Sequence, residues 1–292
     1  MMKQICSAFF LAFVALSAVA QESAAPMVAI PLTASDSHHR PTSLTVESLV
    51  ITDEGTPITG ANLARGADLP VELGLLIDDS NSQRFAELSD ILKAARQFVS
   101  NSIRGPEDRV FLLDFDTTPR ATKWLTREQL QTTTGLTIRV GGATALYDAL
   151  GMACKERMGP RDWQKPTRRV LVLISDGEDN QSHVTRDQAV SEALRAGAVI
   201  FTIDTELSGP ASGGGKVMQT LADVTGGESF RQVGTRNAPE VFATIKEMMD
   251  GMYYLRYVPP GTSKSAPHGV EVKWALKEKF KLSYAKEYLW NQ

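Results

Sequence analysis

The sequence predicts an α/β protein with a doubly wound, mostly parallel sheet and helices on both faces. A small β module from the N- and C-terminal segments is expected beside it. Three observations carry this prediction. Through the middle of the chain, short and nearly continuous apolar runs alternate with segments whose apolar residues recur at helical spacing, the pattern of parallel strands buried on both faces. On either side of that region the texture is β-like instead. The length of 292 residues allows one large domain with an appendage.

The elements follow in order. Residues 1–20 read as an export signal: Lys3 opens it, Ile5 to Leu16 is apolar, and Ala18-Val19-Ala20 supplies small residues for cleavage. That run is short for a bilayer span, which needs about 20 residues. The mature chain is therefore expected to be exported to the periplasm, cell surface or medium, with no transmembrane segment. Cys6 lies inside the signal, which leaves Cys154 without a partner for a disulfide. Residues 21–66 form the N-terminal β segment, in which 33–43 read as an exposed loop and Ser43 to Ile51 as a strand before the turn Asp53-Glu54-Gly55.

Residues 67–252 carry the alternating pattern. Val71 to Ile77 is the first buried strand. A helix follows, with Phe85, Leu88, Ile91, Leu92, Ala95, Phe98 and Val99 on one stripe. Val110 to Phe115, Val170 to Ile174 and Val199 to Ile203 are further buried strands. Thr144 to Met158 reads as a helix stopped at Gly159-Pro160. Thr185 to Gln188 has capping-box spacing, and Asn237 to Glu240 opens a last helix whose methionines pack its inner face. Residues 253–292 return to β texture in three segments, too few to stand alone, so they are expected to pair with the N-terminal segment.

Composition narrows the function. Thirty-one Lys and Arg stand against 34 Asp and Glu, a net charge of −3. Nucleic-acid binding usually needs a basic excess. Two cysteines are too few for a disulfide scaffold or a multi-thiolate zinc site.

In an open parallel sheet, ligands bind at the carboxyl edge of the strands. The first strand ends in Asp78-Asp79-Ser80-Asn81-Ser82, the third in Ser175-Asp176-Gly177-Glu178-Asp179, and the loop before the middle helix reads Gly141-Gly142-Ala143-Thr144. These loops offer hard oxygen donors without His or Cys, a set that selects Mg²⁺, Mn²⁺ or Ca²⁺ over zinc or copper. Asp78, Ser80 and Ser82 alternate along a turn and can converge, with Thr144 and Asp176 arriving from neighbouring loops. Two carboxylates and three neutral hydroxyls make at most five protein donors, fewer than the six oxygens that Mg²⁺ prefers. Capture of an Asp or Glu carboxylate from a partner protein is the simplest use of such an ion.

Asp78-x-Ser80-x-Ser82, then Thr144, then Asp176 resemble the metal-ion-dependent adhesion site of the von Willebrand factor type A domain. GGATALYDAL (141–150), RRVLVLISDGEDN (168–180) and VTGGESF (224–230) resemble the same domain at corresponding places. The flanking β segments, with MYYLRYVPP (252–260), resemble its exported bacterial subfamily, the VWFA-related Acidobacterial domain. The resemblance implies a non-catalytic binding module. It also implies that Ser80, Ser82 and Thr144 contact the metal while Asp78 and Asp176 act mostly through water.

Other constellations compete. Asp114-Phe115-Asp116-Thr117-Thr118 after an apolar strand resembles the nucleophile motif of Mg²⁺-dependent haloacid dehalogenase-type phosphatases. The plain alternative is a strand running into an exposed hairpin. A structural envelope protein with a stabilising metal is a further reading. Leu207 to Lys216 hints at a phosphate loop, but Val217 replaces the needed hydroxyl residue, and the run reads as a flexible surface loop. His38 and His39 sit in a polar loop, while His183 and His268 stand alone. No spacing among them makes a zinc site, and all four read as solvated surface residues, with Cys154 as a small core residue. Asp79 reads as solvated or helix-capping.

Overall fold

The computed structural model describes residues 27–81, 85–132, 140–207, 213–261 and 267–289. Its centre is a sheet of six strands. They are β5 (Val71–Asp78), β6 (Arg109–Phe115), β7 (Pro119–Ala121), β8 (Arg168–Ser175), β9 (Val199–Asp204) and β10 (Ser229–Phe230), numbered along the whole chain. Their spatial order is β10-β9-β8-β5-β6-β7, and every pairing is parallel except that of β6 with β7.

The strand periodicity of two splits the apolar side chains between two helix layers. Leu73, Leu75, Ile77, Val172, Ile174 and Phe201 face one layer. That layer is α1 (Phe85–Ser102) and α6 (Ala238–Asp250). Leu76, Phe111, Leu113, Leu171 and Leu173 face the other. There stand α3 (Leu146–Gly151), α4 (Arg186–Ala196) and α5 (Gly213–Thr225), while the short α2 (Arg127–Thr132) has no buried residue. The doubly wound α/β reading is met. Gly74 in β5 shows how tight the second interface is: a Cβ there would stand 2.4 Å from Leu171 Cδ2 and 2.5 Å from Phe111 Cζ. At the opposite strand edge Glu72, facing Arg109 and Arg169 in register, pairs with both.

The helices match their sequence signals with local differences. The capping box at Thr185 is formed in full, and Gly197 closes α4 in the left-handed conformation (φ 62°). The middle helix starts at Leu146 rather than Thr144. From Met152 to Met158 it widens into a π-helix, ending with Gly159 N–H on Cys154 O at 3.0 Å. Cys154 is buried, and burial pushes its thiol up to about 12, so it stays protonated in the core.

Both chain ends form antiparallel sheets, as the sequence predicts, but two rather than one. β1 (Val28–Ser35) lies between β11 (Tyr253–Tyr257) and β13 (Lys281–Tyr284), with β4 (Asn62–Arg65) beyond β11. The second sheet has the order β14 (Glu287–Leu289), β12 (Pro267–Trp274), β2 (Leu49–Asp53) and β3 (Thr56–Pro57). One apolar cluster joins them, with Ile30, Leu32 and Ile51 from the N-terminal segment and Tyr257, Val272 and Tyr288 from the C-terminal one. Two strand readings shift. Thr33, Ala34 and Ser35 belong to buried β1, so the exposed loop begins later, and Val46–Ser48 is a 3₁₀ turn ahead of β2. The expected signal peptide lies outside the described residues, among which no helix is long and apolar enough to cross a membrane.

Candidate metal centre

The carboxyl edge of the central sheet brings Asp78, Ser80, Thr144 and Asp176 to neighbouring loops. β5 and β8 are adjacent and in register from Val71 with Arg168 to Ile77 with Ile174, so Asp78 and Ser175 end their strands at the same level. Asp78 is fully buried. Its Oδ1 accepts from Ser80 N–H at 3.0 Å and its Oδ2 from Ser175 Oγ at 2.6 Å. Ser82, the fifth residue of the sequence-derived set, lies outside the described residues.

The loops are tied to one another by backbone bonds. Asn81 N–H donates to Gly142 O at 3.2 Å, and Gly141 N–H donates to Asp79 O at 2.9 Å. Thr144 is clamped by Asn180: its N–H donates to Asn180 Oδ1 at 2.9 Å, and its carbonyl accepts from Asn180 N–H at 3.0 Å. Thr144 is buried and Asp176 half-buried. Asp176 turns its own loop by accepting from Glu178 N–H at 3.1 Å. Gly177 (φ 79°) permits this turn, and a Cβ there would stand 2.2 Å from Gly214 O.

That contact corrects one reading. The glycines of 207–216 are not a flexible surface loop throughout, since Gly213–Lys216 is the first turn of α5 and Gly214 and Gly215 are buried. Lacking side chains, they let the helix start lie directly under the Asp176 loop. Residues 208–212 lie outside the described residues.

Burial dominates the electrostatics of the site. Burial is the main cause that raises the Asp78 carboxyl to about 6, against bonds from Ser175 and Ser80 that lower it; the charge of Asp176 raises it further. Every donor here is an oxygen. Such a set, with a buried negative charge, fits a hard divalent cation, which would relieve the cost of ionising Asp78.

Asp79 is not solvated. It is fully buried, and Arg120 from the β6–β7 hairpin reaches it at 3.1 Å. The same guanidinium binds Asp114 and, at 3.0 Å, Asp116. The D-x-D pair of the phosphatase-like motif is thus held by a cation at the root of a hairpin, the plainer of its two sequence readings. Burial raises the Asp114 carboxyl while Arg120 pulls it down.

Ser175, Asn180 and Arg120 support the site without having been assigned roles from sequence. Ser175 and Asn180 fall within the quoted SDGEDN run, and only the pairing of loops gives them partners. Among the histidines, His183 is exposed and meets Asp148 at 2.8 Å. His268 corrects its reading as a surface residue: it is buried, with its Nδ1 3.7 Å from Asp53 Oδ1.

Comparison with known proteins gives the following. No curated protein matches the sequence. Among solved structures, an aerotolerance-related membrane protein from Bacteroides fragilis is similar at 18% identity, over 62% of this chain and 98% of that one, with a TM-score of 0.42. Proximal thread matrix protein 1 from the mussel byssus, in a form with a zinc-occupied MIDAS motif, is 14% identical over 63% of this chain and 48% of its own, with a TM-score of 0.45. A von Willebrand factor type A protein from Catenulispora acidiphila is 12% identical over 93% of this chain and 76% of its own, with a TM-score of 0.46. The family model of the von Willebrand factor type A domain matches residues 73–178, the stretch that runs from β5 through the Asp176 loop.

Proposed function

We propose that this chain is an exported, non-catalytic binding module that captures a partner protein's Asp or Glu carboxylate through a divalent cation. Asp78, Ser80, Ser82, Thr144 and Asp176 would hold the ion, with Mg²⁺ first and Mn²⁺ or Ca²⁺ as substitutes. The observation that carries this reading is the buried Asp78 carboxylate, raised to about 6 beside Asp176 in an all-oxygen site. A divalent ion there would favour the ionised form of Asp78. With Asp78 and Asp176 acting through water, as the resemblance implies, the direct ligands are neutral hydroxyls, and an outside carboxylate completes the coordination of the ion. Export rests on the sequence of residues 1–20.

The experiment is a titration of the chain with short acidic peptides in Mg²⁺ and in EDTA, alongside the Asp78→Ala/Ser80→Ala double variant. Saturable binding in Mg²⁺ that is lost both with EDTA and in the variant supports the proposal. Binding that persists unchanged in EDTA and in the variant ends it.

A further inference from the structure

We propose a second metal site, of zinc type, in the antiparallel module: Asp53, Glu54 and His268 as ligands, with water in the fourth position. One ligand atom from each of the three residues lies within 4.8 Å of the others. The site lies between the β2–β3 turn and the start of β12, away from the carboxyl edge of the central sheet.

The first argument is the state of Asp53. It is fully buried, and its two oxygens are treated differently. Oδ2 accepts two bonds, from Tyr257 Oη at 2.8 Å and Tyr288 Oη at 2.7 Å. Oδ1 is buried and accepts no hydrogen bond among the described residues. It faces His268 Nδ1 at 3.7 Å, too far for a hydrogen bond. A tetrahedral ion with bonds of 2.0–2.2 Å holds its ligand atoms about 3.4 Å apart. The Asp53–His268 spacing is close to that, and a small inward movement of exposed Glu54 completes the set.

The second argument is preorganisation. Metal-ligating carboxylates and imidazoles are usually oriented by further contacts. Here two tyrosine hydroxyls fix Asp53. The His268 ring stacks on Tyr288 with centroids 5.0 Å apart. Glu54 has a left-handed backbone (φ 49°), uncommon outside glycine. Its N–H donates to Gly269 O at 2.9 Å, and its carboxylate accepts from Gly269 N–H. The turn is therefore clasped to the residue next to His268.

The donor set decides the metal class. An imidazole with two carboxylates suits Zn²⁺ and its late first-row neighbours, whereas Mg²⁺ and Ca²⁺ prefer oxygen alone. Two carboxylates and a neutral imidazole also cancel the charge of a divalent ion. The ion would staple the N-terminal segment to the C-terminal one, across 215 residues of sequence. This inference does not rest on the proposed carboxylate-binding function.

The test uses the full chain saturated with Mg²⁺, titrated with Zn²⁺ by calorimetry and with Co²⁺ by visible absorption. One equivalent of Zn²⁺, with a Co²⁺ spectrum of low-coordinate type, is expected. His268→Gln and Glu54→Gln should each weaken binding by at least about tenfold, while His183→Ala leaves it unchanged. Glu54 is exposed, so its variant keeps the fold if His268→Gln does not. Absence of a Zn²⁺ equivalent in the wild-type chain, or affinity unchanged in Glu54→Gln, overturns the proposal.

Discussion

The two candidate ion sites differ in how they are built. At the carboxyl edge of the central sheet, the ligand residues come from loops that follow three elements of one domain, and backbone bonds between the loops hold them together. In the antiparallel module, Asp53 and Glu54 meet His268 only because β2 pairs with β12 in a register that opposes Asp53 to Val270. The first site has oxygen donors alone, while the second adds an imidazole. The comparison shows that a site made of contiguous motifs can be read residue by residue. A site made by strand register has no local signature.

Four experiments break or sharpen this contrast. The largest effect is expected from Asp78→Ala/Ser80→Ala, which should abolish Mg²⁺-dependent peptide binding and leave Zn²⁺ uptake at Asp53 and His268 intact. Loss of both metals in this variant would mean that the two sites are not independent.

Next comes pH. In the metal-free fold Asp78 titrates at about 6, above its ordinary 3.8. The folded chain therefore binds the extra proton between those values. The stability from this group is complete below about pH 4 and is lost as pH rises through 6, a change on the order of 3 kcal/mol. Urea unfolding in EDTA should show this decline, and saturating Mg²⁺ should remove it. Identical slopes in the two buffers would break the link between Asp78 and the ion.

Arg120→Ala should cost about 2 kcal/mol in urea unfolding. It strips the cation from buried Asp79 and Asp114, but Arg120 is nearly half exposed, which keeps the loss below that of a fully buried pair. A shift under a few tenths would show that water replaces it. The smallest effect is expected from Tyr288→Phe, about 1 kcal/mol in metal-free protein, because Tyr257 still donates to Asp53 Oδ2. In Zn²⁺ the same variant should also bind the ion more weakly, and equal losses with and without Zn²⁺ would separate Tyr288 from the metal.

The legible part of the fold follows from burial. β5 and β8 read as apolar runs because both faces of each are covered, and the capping box at Thr185 was visible because it spans one helical turn. The start of α5 is not legible in the sequence because its glycines look like a loop. They are there because a Cβ at Gly214 would stand 2.2 Å from Asp176 O, a constraint imposed by another segment. His268 looked solitary for the same kind of reason, since its partner is a turn at the far end of the chain.

The sequence by itself determined the alternating α/β order, the strand-end positions of Asp78, Ser80 and Asp176, the place of Thr144 ahead of the middle helix, and the hard-oxygen character of these residues. These depend on local periodicity and on residue chemistry, which are written along the chain. Only the tertiary structure decided that Ser175 and Asn180 brace that site, that Arg120 holds Asp79, and that Asp53 is buried against His268. Those contacts are set by which strands and loops become neighbours, and pairing between distant segments leaves no trace in either segment alone.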